Sequence, residues 1–286
     1  MPPVGDGLSI GIGQTSPSRV REHLTMPVAD AAELEVPDTL TLAPSGAWVT
    51  VAKFYHGLIA LIGTCTLGLS IYLSITQPEN GGPLNAVIFT LSYFTVLSNI
   101  LAMATNWAMF ANPLRDSGAF RWMRMTSLVM IVITGLIYAI VLAPISHPEG
   151  LGVYTNMGYH YIVPWATLLG FLLFGPRPRF TWDLVPKMMI VPVLWLLYTL
   201  VHGAFLTQPP PNPPETTTLG EPQHWYPYPF IDVNDPSPLI PGVALEGYAG
   251  VGVNLVVIVI LGLVFATLFL GLDRLLSGFR KPTPLP

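Results

Sequence analysis

Six long apolar stretches constrain the fold of this chain more than any other feature of its sequence. They lie at roughly 49–76, 84–110, 123–143, 155–174, 186–206 and 248–272. At about 1.5 Å per residue, each is long enough as a helix to cross a hydrocarbon core about 30 Å thick. The sequence therefore predicts an all-α, polytopic membrane protein with six transmembrane helices.

The twelve Lys and Arg residues predict the orientation of these helices. They fall in four places: Arg19, Arg21 and Lys53; Arg115, Arg121 and Arg124; Arg177, Arg179 and Lys187; and Arg274, Arg280 and Lys281. The three connections between them, 77–83, 144–154 and 207–247, contain no basic residue. Because an excess of Lys and Arg marks the cytoplasmic side, both termini are predicted to be cytoplasmic.

Composition agrees with a membrane protein and narrows the possible chemistry. The mean hydropathy is +0.57, and only 10% of the residues are charged. No Asp or Glu lies inside an apolar stretch, which argues against proton-driven transport and against a carboxylate-bridged metal site. A single cysteine, Cys65, excludes an internal disulfide and a multi-cysteine metal site, and we expect it to be a small buried hydrophobic residue.

Three regions follow from the distribution of apolar residues. Residues 1–47 are rich in Pro, Gly, Ser and Thr, carry no signal peptide, and are predicted to be a disordered cytoplasmic tail. Residues 48–276 form the membrane domain, and 277–286 form a second cytoplasmic tail. The outer loop 207–247 begins with a proline-rich spacer and continues with HWYPYPFID at 224–232. This aromatic half is predicted to dock, either as an interfacial anchor or as a lid over a cavity open to the outer leaflet.

A polar stripe marks the second apolar stretch. Ser92, Thr95 and Asn99 follow i, i+3, i+7 spacing, and Asn106 lies a further seven residues on, so all four share one helix face. Ser and Thr in membrane helices often bond back to the carbonyl four residues earlier, and Asn often bonds a neighbouring helix. The stripe is therefore either helix-packing contact or the polar part of a site.

Two histidines in the outer half of the membrane supply a base for such a site. His160 begins the fourth stretch and His202 ends the fifth. Pro164 cannot donate to the carbonyl of His160, which leaves a backbone acceptor free there. A threonine hydroxyl becomes a useful nucleophile only when a base takes its proton, and Thr95 and His160 are candidates for that pair. Counting residues places Thr95 about 12–16 Å and His160 about 5–8 Å below the outer boundary, so spacing alone leaves their contact open.

Four segments resemble bacterial six-span relatives of the androgen-induced-gene membrane proteins. They are Tyr93–Asn99 (YFTVLSN), Tyr159–Pro164 (YHYIVP), Leu194–Ala204 (LWLLYTLVHGA) and Trp225–Phe230 (WYPYPF). The resemblance covers roughly residues 50–272. The animal members are integral membrane hydrolases that cleave fatty acid esters of hydroxy fatty acids with an atypical Thr nucleophile and a His.

The resemblance implies specific roles and also shows departures. The matching nucleophile is Thr95, within the Phe-Thr motif, and the matching base is His160, within the His-x-x-x-Pro motif. His202 matches the animal members, whereas bacterial relatives often carry Arg at that position. The outer loop is longer and richer in proline than in the animal proteins. Asp232 lies where an acidic residue commonly follows Tyr-Pro-Phe, and we interpret it as a turn cap rather than as the group that orients a histidine.

The first functional hypothesis is an intramembrane hydrolase of fatty-acyl esters, with Thr95 as the nucleophile and His160 as the base. The candidate substrate-binding or oxyanion residues are Ser92, Asn99, His202, Tyr228 and Asp232. The expected partners are a membrane lipid or lipid-like substrate and the lipid bilayer, with no nucleic acid, no metal and no cofactor. The expected location is the bacterial plasma membrane.

Two other hypotheses remain open from the sequence. In the first, the helices form a non-enzymatic bundle that binds or transports a lipid or small hydrophobic molecule, and the polar stripe only holds helices together. In the second, His160 and His202 ligate a haem, since neutral imidazoles are good iron ligands and the two residues lie at similar depth.

Overall fold

A computed structural model describes residues 46–77, 82–174, 177–205, 207–208 and 223–278 of the chain. The predicted tails lie outside these residues, apart from the few at their inner edges that belong to the first and last helices. The proline-rich spacer of the outer loop lies outside them too.

Helices make up most of the described structure. The α-helices are α1 Gly46–Ile75, α2 Pro83–Ser92, α3 Phe94–Ala111, α4 Gly118–Ile137, α5 Gly152–Met157, α6 Val163–Leu173, α7 Leu184–Lys187, α8 Ile190–Phe205 and α9 Gly247–Gly278. Helix α4 continues into a π turn, Tyr138–Leu142, and a 3₁₀ turn, Ala143–Ile145, and a second π turn, Gly158–Ile162, joins α5 to α6. A further 3₁₀ turn spans Pro229–Ile231, and a short antiparallel pair joins β1 Thr207–Gln208 to β2 Gln223–His224.

Five helices are long and apolar enough to cross a membrane. They are Gly46–Ile75, Phe94–Ala111, Gly118–Ile145, Leu184–Phe205 and Gly247–Ser277. This confirms a helical membrane protein, but not the count of six. The fourth apolar stretch of the sequence is helical over α5, the second π turn and α6. Its first half carries Asn156, Tyr159, His160 and Tyr161, which lower its mean hydropathy.

The outward-facing surface of the helices is apolar, as expected for contact with lipid. Phe54, Leu58 and Leu61 of α1, for example, expose half or more of their surface. Such a large exposed apolar surface is typical of a protein that contacts a membrane. Cys65 is exposed as well, so the prediction that it is buried was wrong. The sequence pattern of α1 is apolar all round, which leaves its inward and outward faces indistinguishable without the neighbouring helices.

The second apolar stretch is broken, rather than forming the single helix that was predicted. The backbone of Tyr93 is extended, with φ −72° and ψ 132°, and separates α2 from α3. Such a break removes intrahelical partners from nearby N–H and C=O groups, which must be satisfied in other ways. Trp195 Nε1 donates to the carbonyl of Ser92 at 2.8 Å, and the N–H of Thr95 donates to Tyr228 Oη at 3.0 Å. Because α3 begins at Phe94, Thr95 lies in its first turn.

Helix α4 lies at the centre of the bundle. Every residue from Arg124 to Gly135 of this 20-residue helix is buried. It packs against α3, α6 and α9, and its apolar side chains form the main core together with α1 and the α7 region. Its polar residues Thr126, Ser127 and Thr134 account for this position, because polar groups within a membrane face the interior of the bundle.

The aromatic part of the outer loop docks into the bundle. We call residues 225–231 the aromatic segment; its members Trp225, Tyr226, Tyr228 and Phe230 are each less than 10% exposed. They pack against side chains of α3, α8 and α9. Asn254 of α9 holds the segment, because its side-chain amide donates to the carbonyls of Phe230 and Ser237, each at 2.9 Å. Docking was predicted, but these rings lie inside the protein and are not an anchor facing the lipid boundary.

Ion pairs join the helices at the opposite end of the bundle. Asp273 of α9 accepts hydrogen bonds from the backbone N–H groups of Arg179 and Phe180, at 2.5 and 2.8 Å. Arg121 donates two hydrogen bonds to Asp116, which hold the pKa of that carboxyl below its usual range. The contacts of Asp273 fix the connection between α6 and α7 against α9.

Replacing Gly203 by Ala should displace the aromatic segment from α8. A Cβ at this position would overlap the ring of Tyr226, which is buried and has no room to move away. Overpacking of this kind costs about 1–3 kcal/mol. We expect a lower thermal unfolding temperature in detergent and faster chymotrypsin cleavage within residues 225–230. The matched control is Gly252→Ala, where nothing lies within 4 Å of the new Cβ. Equal stability and cleavage in the two variants would contradict this packing.

Candidate functional site

Thr95 lies where three distant parts of the chain meet. Its Oγ1 is 3.5 Å from His160 Nε2 and 3.1 Å from Tyr228 Oη. These residues are 65 and 133 positions away along the chain. The predicted pair of Thr95 and His160 is therefore brought within hydrogen-bond distance. Thr95 is 8% exposed, so its hydroxyl contacts groups inside the protein rather than bulk water.

His160 is oriented by a neighbour on its own helix. Its Nδ1 lies 2.8 Å from Asn156 Oδ1, one turn earlier. An amide oxygen only accepts hydrogen bonds, so Nδ1 carries the proton in this contact. In a neutral imidazole the other nitrogen, Nε2, is then an acceptor and faces the Thr95 hydroxyl. This is the tautomer that a general base needs.

A close approach between α4 and α6 fixes the plane of the imidazole. The ring of Tyr138 stacks on His160 with centroids 3.7 Å apart and an angle of 12° between the planes. Each of these two residues lies in a π turn, a local widening of the helix that is frequent at functional sites. Gly135, one turn before Tyr138, allows this approach, since a Cβ there would lie 3.0 Å from Pro164 Cβ.

The hydrogen bonds around Thr95 form a chain in which each group donates its proton to the next, from Tyr228 to Asn156. Tyr228 Oη accepts from the Thr95 N–H, so its own proton is free to be donated to Thr95 Oγ1. Thr95 then donates its hydroxyl proton towards His160 Nε2, and His160 donates from Nδ1 to Asn156. The order hydroxyl, imidazole and orienting group is the same as the order of nucleophile, base and orienting group in hydrolases that use a triad.

A cavity opens beside Thr95, and we call it the chamber. Its volume is about 90 Å³, counted as the space open to the centre of a water-sized molecule. Among the described lining residues, Thr95, Thr134 and Tyr228 carry hydroxyl groups and almost all others are apolar. The apolar lining comes mainly from α4, α8 and α9: Val129, Met130, Ile133, Ile137, Met188, Met189, Pro192, Val193, Trp195, Leu196, Leu255, Ile258, Val259 and Gly262. The chamber therefore suits a hydrocarbon group.

The other predicted site residues have different surroundings. Ser92 Oγ donates to the carbonyl of Ile88 at 2.7 Å and accepts from Tyr198 Oη at 2.8 Å. The side-chain amide of Asn99 donates to the carbonyls of Thr95 and Tyr159, so both of its N–H bonds are already used. These contacts hold the backbone around the Thr95 turn and leave neither residue as a donor to a substrate.

His202 and Asp232 lie apart from the Thr95 hydroxyl in the contacts they make. His202 is buried beside Tyr198 and Trp225, with ring centroids 5.4 and 6.2 Å away. Asp232 Oδ1 accepts from the backbone and the side chain of Asn234, which is the turn-capping role that we favoured. The site in the described structure therefore consists of Thr95, His160, Tyr228 and their supporting residues.

Sequence reasoning missed Asn156 and Tyr138. Asn156 precedes His160 by four residues, and that i, i+4 spacing places two side chains together on a helix, so a search around His160 could have found it. Tyr138 had no such signal, because it contacts His160 from another helix. Tyr228 was predicted through its motif alone, without any indication that it reaches Thr95.

Comparisons with models of protein families, with curated proteins and with solved structures found no match. The function proposed below therefore draws on the geometry of the site and on the motif resemblance described above.

Replacing Tyr228 by Phe should destabilise the break between α2 and α3. The change keeps the ring but leaves the buried N–H of Thr95 without its acceptor, which costs about 1–3 kcal/mol. We expect a lower unfolding temperature in detergent. Tyr154→Phe is the matched control, because Tyr154 is 67% exposed. If both variants unfold at the wild-type temperature, the hydroxyl of Tyr228 does not support the Thr95 turn.

Proposed function

We propose that this protein is an intramembrane hydrolase of fatty-acyl esters that uses Thr95 as the nucleophile and His160 as the general base. The observation that carries the proposal is the position of Thr95 Oγ1, 3.5 Å from an oriented imidazole and at the wall of an apolar chamber. A reactive hydroxyl beside a hydrocarbon-sized space favours a substrate with an acyl chain over a small polar ester. Its motif resemblance to threonine lipid hydrolases agrees with this reaction.

The reaction would proceed in two acyl-transfer steps. Thr95 Oγ1 attacks the ester carbonyl carbon while its proton passes to His160 Nε2. The tetrahedral intermediate then expels the alcohol, which takes that proton from His160 and leaves an acyl-threonine. Water attacks the acyl-threonine, with His160 again accepting a proton. Collapse releases the fatty acid and returns the hydroxyl of Thr95.

Asn156 would act as a positioning residue for the base. Its side-chain oxygen accepts the Nδ1 proton and keeps Nε2 directed at Thr95 throughout the cycle. A neutral amide stabilises the imidazolium less than a carboxylate does, but it fixes the same tautomer. Stacking on Tyr138 keeps the imidazole of His160 from tilting out of its plane.

The start of helix α3 would stabilise the developing oxyanion. The first N–H groups of any helix have no intrahelical acceptor, and the helix dipole makes this end positive. Thr95 is the second residue of α3, so when Oγ1 attacks an ester carbonyl carbon, the carbonyl oxygen lies beside this end of the helix. The Tyr228 hydroxyl, 3.1 Å from Oγ1, is a second donor. Donors fixed in place in this way usually contribute the largest part of acyl-transfer catalysis.

Replacing Thr95 by Ala should abolish ester hydrolysis by the detergent-purified protein, and should abolish labelling by a fluorophosphonate probe mapped by mass spectrometry. His160→Ala should also prevent labelling, because the nucleophile loses its base. Asn156→Ala should lower kcat by about 10–100-fold with little change in KM, since it acts through orientation. Thr95→Ser, which keeps a hydroxyl, should retain part of the activity.

Thr90→Ala is the matched control for these variants. Thr90 is a buried threonine five residues before Thr95, and its hydroxyl donates to the carbonyl of Ala86. We expect wild-type hydrolysis and labelling in this variant. Equal activity in Thr95→Ala and Thr90→Ala would overturn the assignment of the nucleophile.

The chamber by itself also suits a protein that binds a lipid without cleaving it. Saturable lipid binding that survives loss of both Thr95 and His160, with no product formed by wild type, would favour that function. A haem protein is less well supported, because both ring nitrogens of His160 already face hydrogen-bonding side chains and one face of the ring is covered by Tyr138.

The topology that accompanies this function has six spans, with α5, the second π turn and α6 forming the additional one. We expect both termini in the cytoplasm and the protein in a bacterial plasma membrane, since the basic residues cluster in alternate connections. Thr95 then lies in the outer half of the membrane, where water reaches the site from the non-cytoplasmic face.

Cysteine labelling tests this orientation. In a Cys65→Ala background, Ser237→Cys should react with a membrane-impermeant maleimide on intact spheroplasts, whereas Thr181→Cys should react only after permeabilisation. Each of these positions is exposed and lies in a connection between helices. Labelling of both, or of Thr181→Cys alone, from outside would contradict the predicted orientation.

A further inference from the structure

The chamber has a reactive end and an apolar end. Thr95 and Tyr228 line its outer end, together with the aromatic segment. Met188, Met189 and Gly262 lie at the other end, where the walls join the main core. The chamber thus runs from the nucleophile into the interior of the bundle.

Its length follows from the helices that form its walls. On α9 the lining residues run from Leu255 to Gly262, and on α4 they run from Val129 to Ile137. At about 1.5 Å per residue, these segments span roughly 10–12 Å. An extended hydrocarbon chain of roughly eight to ten carbons has this length. The walls over this distance are apolar apart from Thr134, whose hydroxyl is hydrogen-bonded to Ser98. Each methylene that leaves water for such a site raises affinity about fourfold.

The position of His160 decides which half of an ester enters the chamber. His160 contacts Thr95 but is not among the described residues that line the chamber. A general base that receives the proton of the nucleophile later returns it to the leaving alcohol, so the alcohol must lie on the side of His160. The acyl group is bonded to the same carbonyl carbon and points the other way, towards the chamber.

Gly262 leaves space at the apolar end of the chamber. A Cβ at this position would lie 3.5 Å from Met188 Cε, 3.7 Å from Met189 Sδ and 3.8 Å from Ile133 Cδ1. These are ordinary van der Waals distances, so an alanine fits without strain. A larger side chain would extend into the space that the end of a bound chain needs.

We propose that the chamber binds the acyl half of the substrate as an extended chain, and that Gly262 sets its upper length at roughly ten carbons. This inference rests on the proposed hydrolase function for its kinetic consequences. The substrate class is then an ester of a medium-length fatty acid, with selectivity for the acyl chain and little selectivity for the alcohol.

Hydrolysis of two series of esters tests the proposal. In the first series the alcohol is constant and the acyl chain varies from about two to sixteen carbons; in the second a butyryl group is constant and the alcohol varies. For wild type, kcat/KM should rise with acyl length to roughly eight to ten carbons and then fall. In Gly262→Leu the maximum should move to shorter chains, with at least about a tenfold loss for decanoyl esters and less than about a twofold change for butyryl esters. The alcohol series should not change.

Two variants control for indirect effects. Gly262→Ala should keep the wild-type chain-length profile, because the new methyl group fits. Gly271→Leu adds the same side chain to the same helix at an exposed position where nothing lies within 4 Å of a Cβ. It should also keep the profile. A shift in Gly271→Leu equal to that in Gly262→Leu would overturn the role of Gly262.

A binding measurement separates this inference from the hydrolase itself. Straight-chain alcohols of increasing length are added to the Thr95→Ala protein, and its unfolding temperature is measured. The stabilisation should grow to roughly ten carbons, and Gly262→Leu should end this growth at shorter chains. Such a profile with no ester hydrolysed by wild type would support the chamber and contradict the hydrolase. Hydrolysis with an unchanged acyl profile in Gly262→Leu would overturn the inference and leave the hydrolase intact.

Discussion

The hydrogen bonds that compensate the break at Tyr93 hold the site together. In a membrane, backbone groups released from a helix find no water and must be satisfied by the protein. Trp195 satisfies the carbonyl of Ser92, and Tyr228 satisfies the N–H of Thr95. Because these two side chains come from α8 and from the aromatic segment, the break ties three parts of the chain to one point. It also places Thr95 at a helix start, where the helix dipole favours negative charge.

Two π turns position the histidine that contacts Thr95. The π turns of α4 and of the α5–α6 region carry Tyr138 and His160, and the stacked rings meet because Gly135 allows close contact between those helices. Regular helices at these places would rotate both side chains around their axes. The imidazole is thus held by Asn156 at one nitrogen and by Tyr138 on one face, and it faces Thr95 with the other nitrogen. Irregular backbone in this protein is concentrated where side chains from several helices converge.

The site separates polar from apolar surroundings. The hydroxyl of Thr95 contacts the imidazole of His160, which the amide of Asn156 supports, while Thr95 also lines the apolar chamber and His160 and Asn156 do not. Within the bundle, an unpaired polar group costs several kcal/mol, so the polar side must be small and fully bonded. The apolar side has no such requirement and can leave space. An ester has the same division, with a polar carboxyl group and a hydrocarbon chain, which is why this arrangement favours the proposed reaction.

The sequence by itself determined that the chain is helical and apolar enough for a membrane, and it identified Thr95 and His160 as candidates. Length, hydropathy and i, i+3, i+7 spacing are local properties, so the sequence contains them directly. It did not reveal the break at Tyr93 or the two π turns, and it placed Cys65 inside the bundle rather than on its surface. Tertiary structure alone decided those features and the contact between Thr95 and His160. Each depends on partners far along the chain, such as Tyr228, 133 residues from Thr95, whose hydrogen bonds offset the loss of regular helical ones.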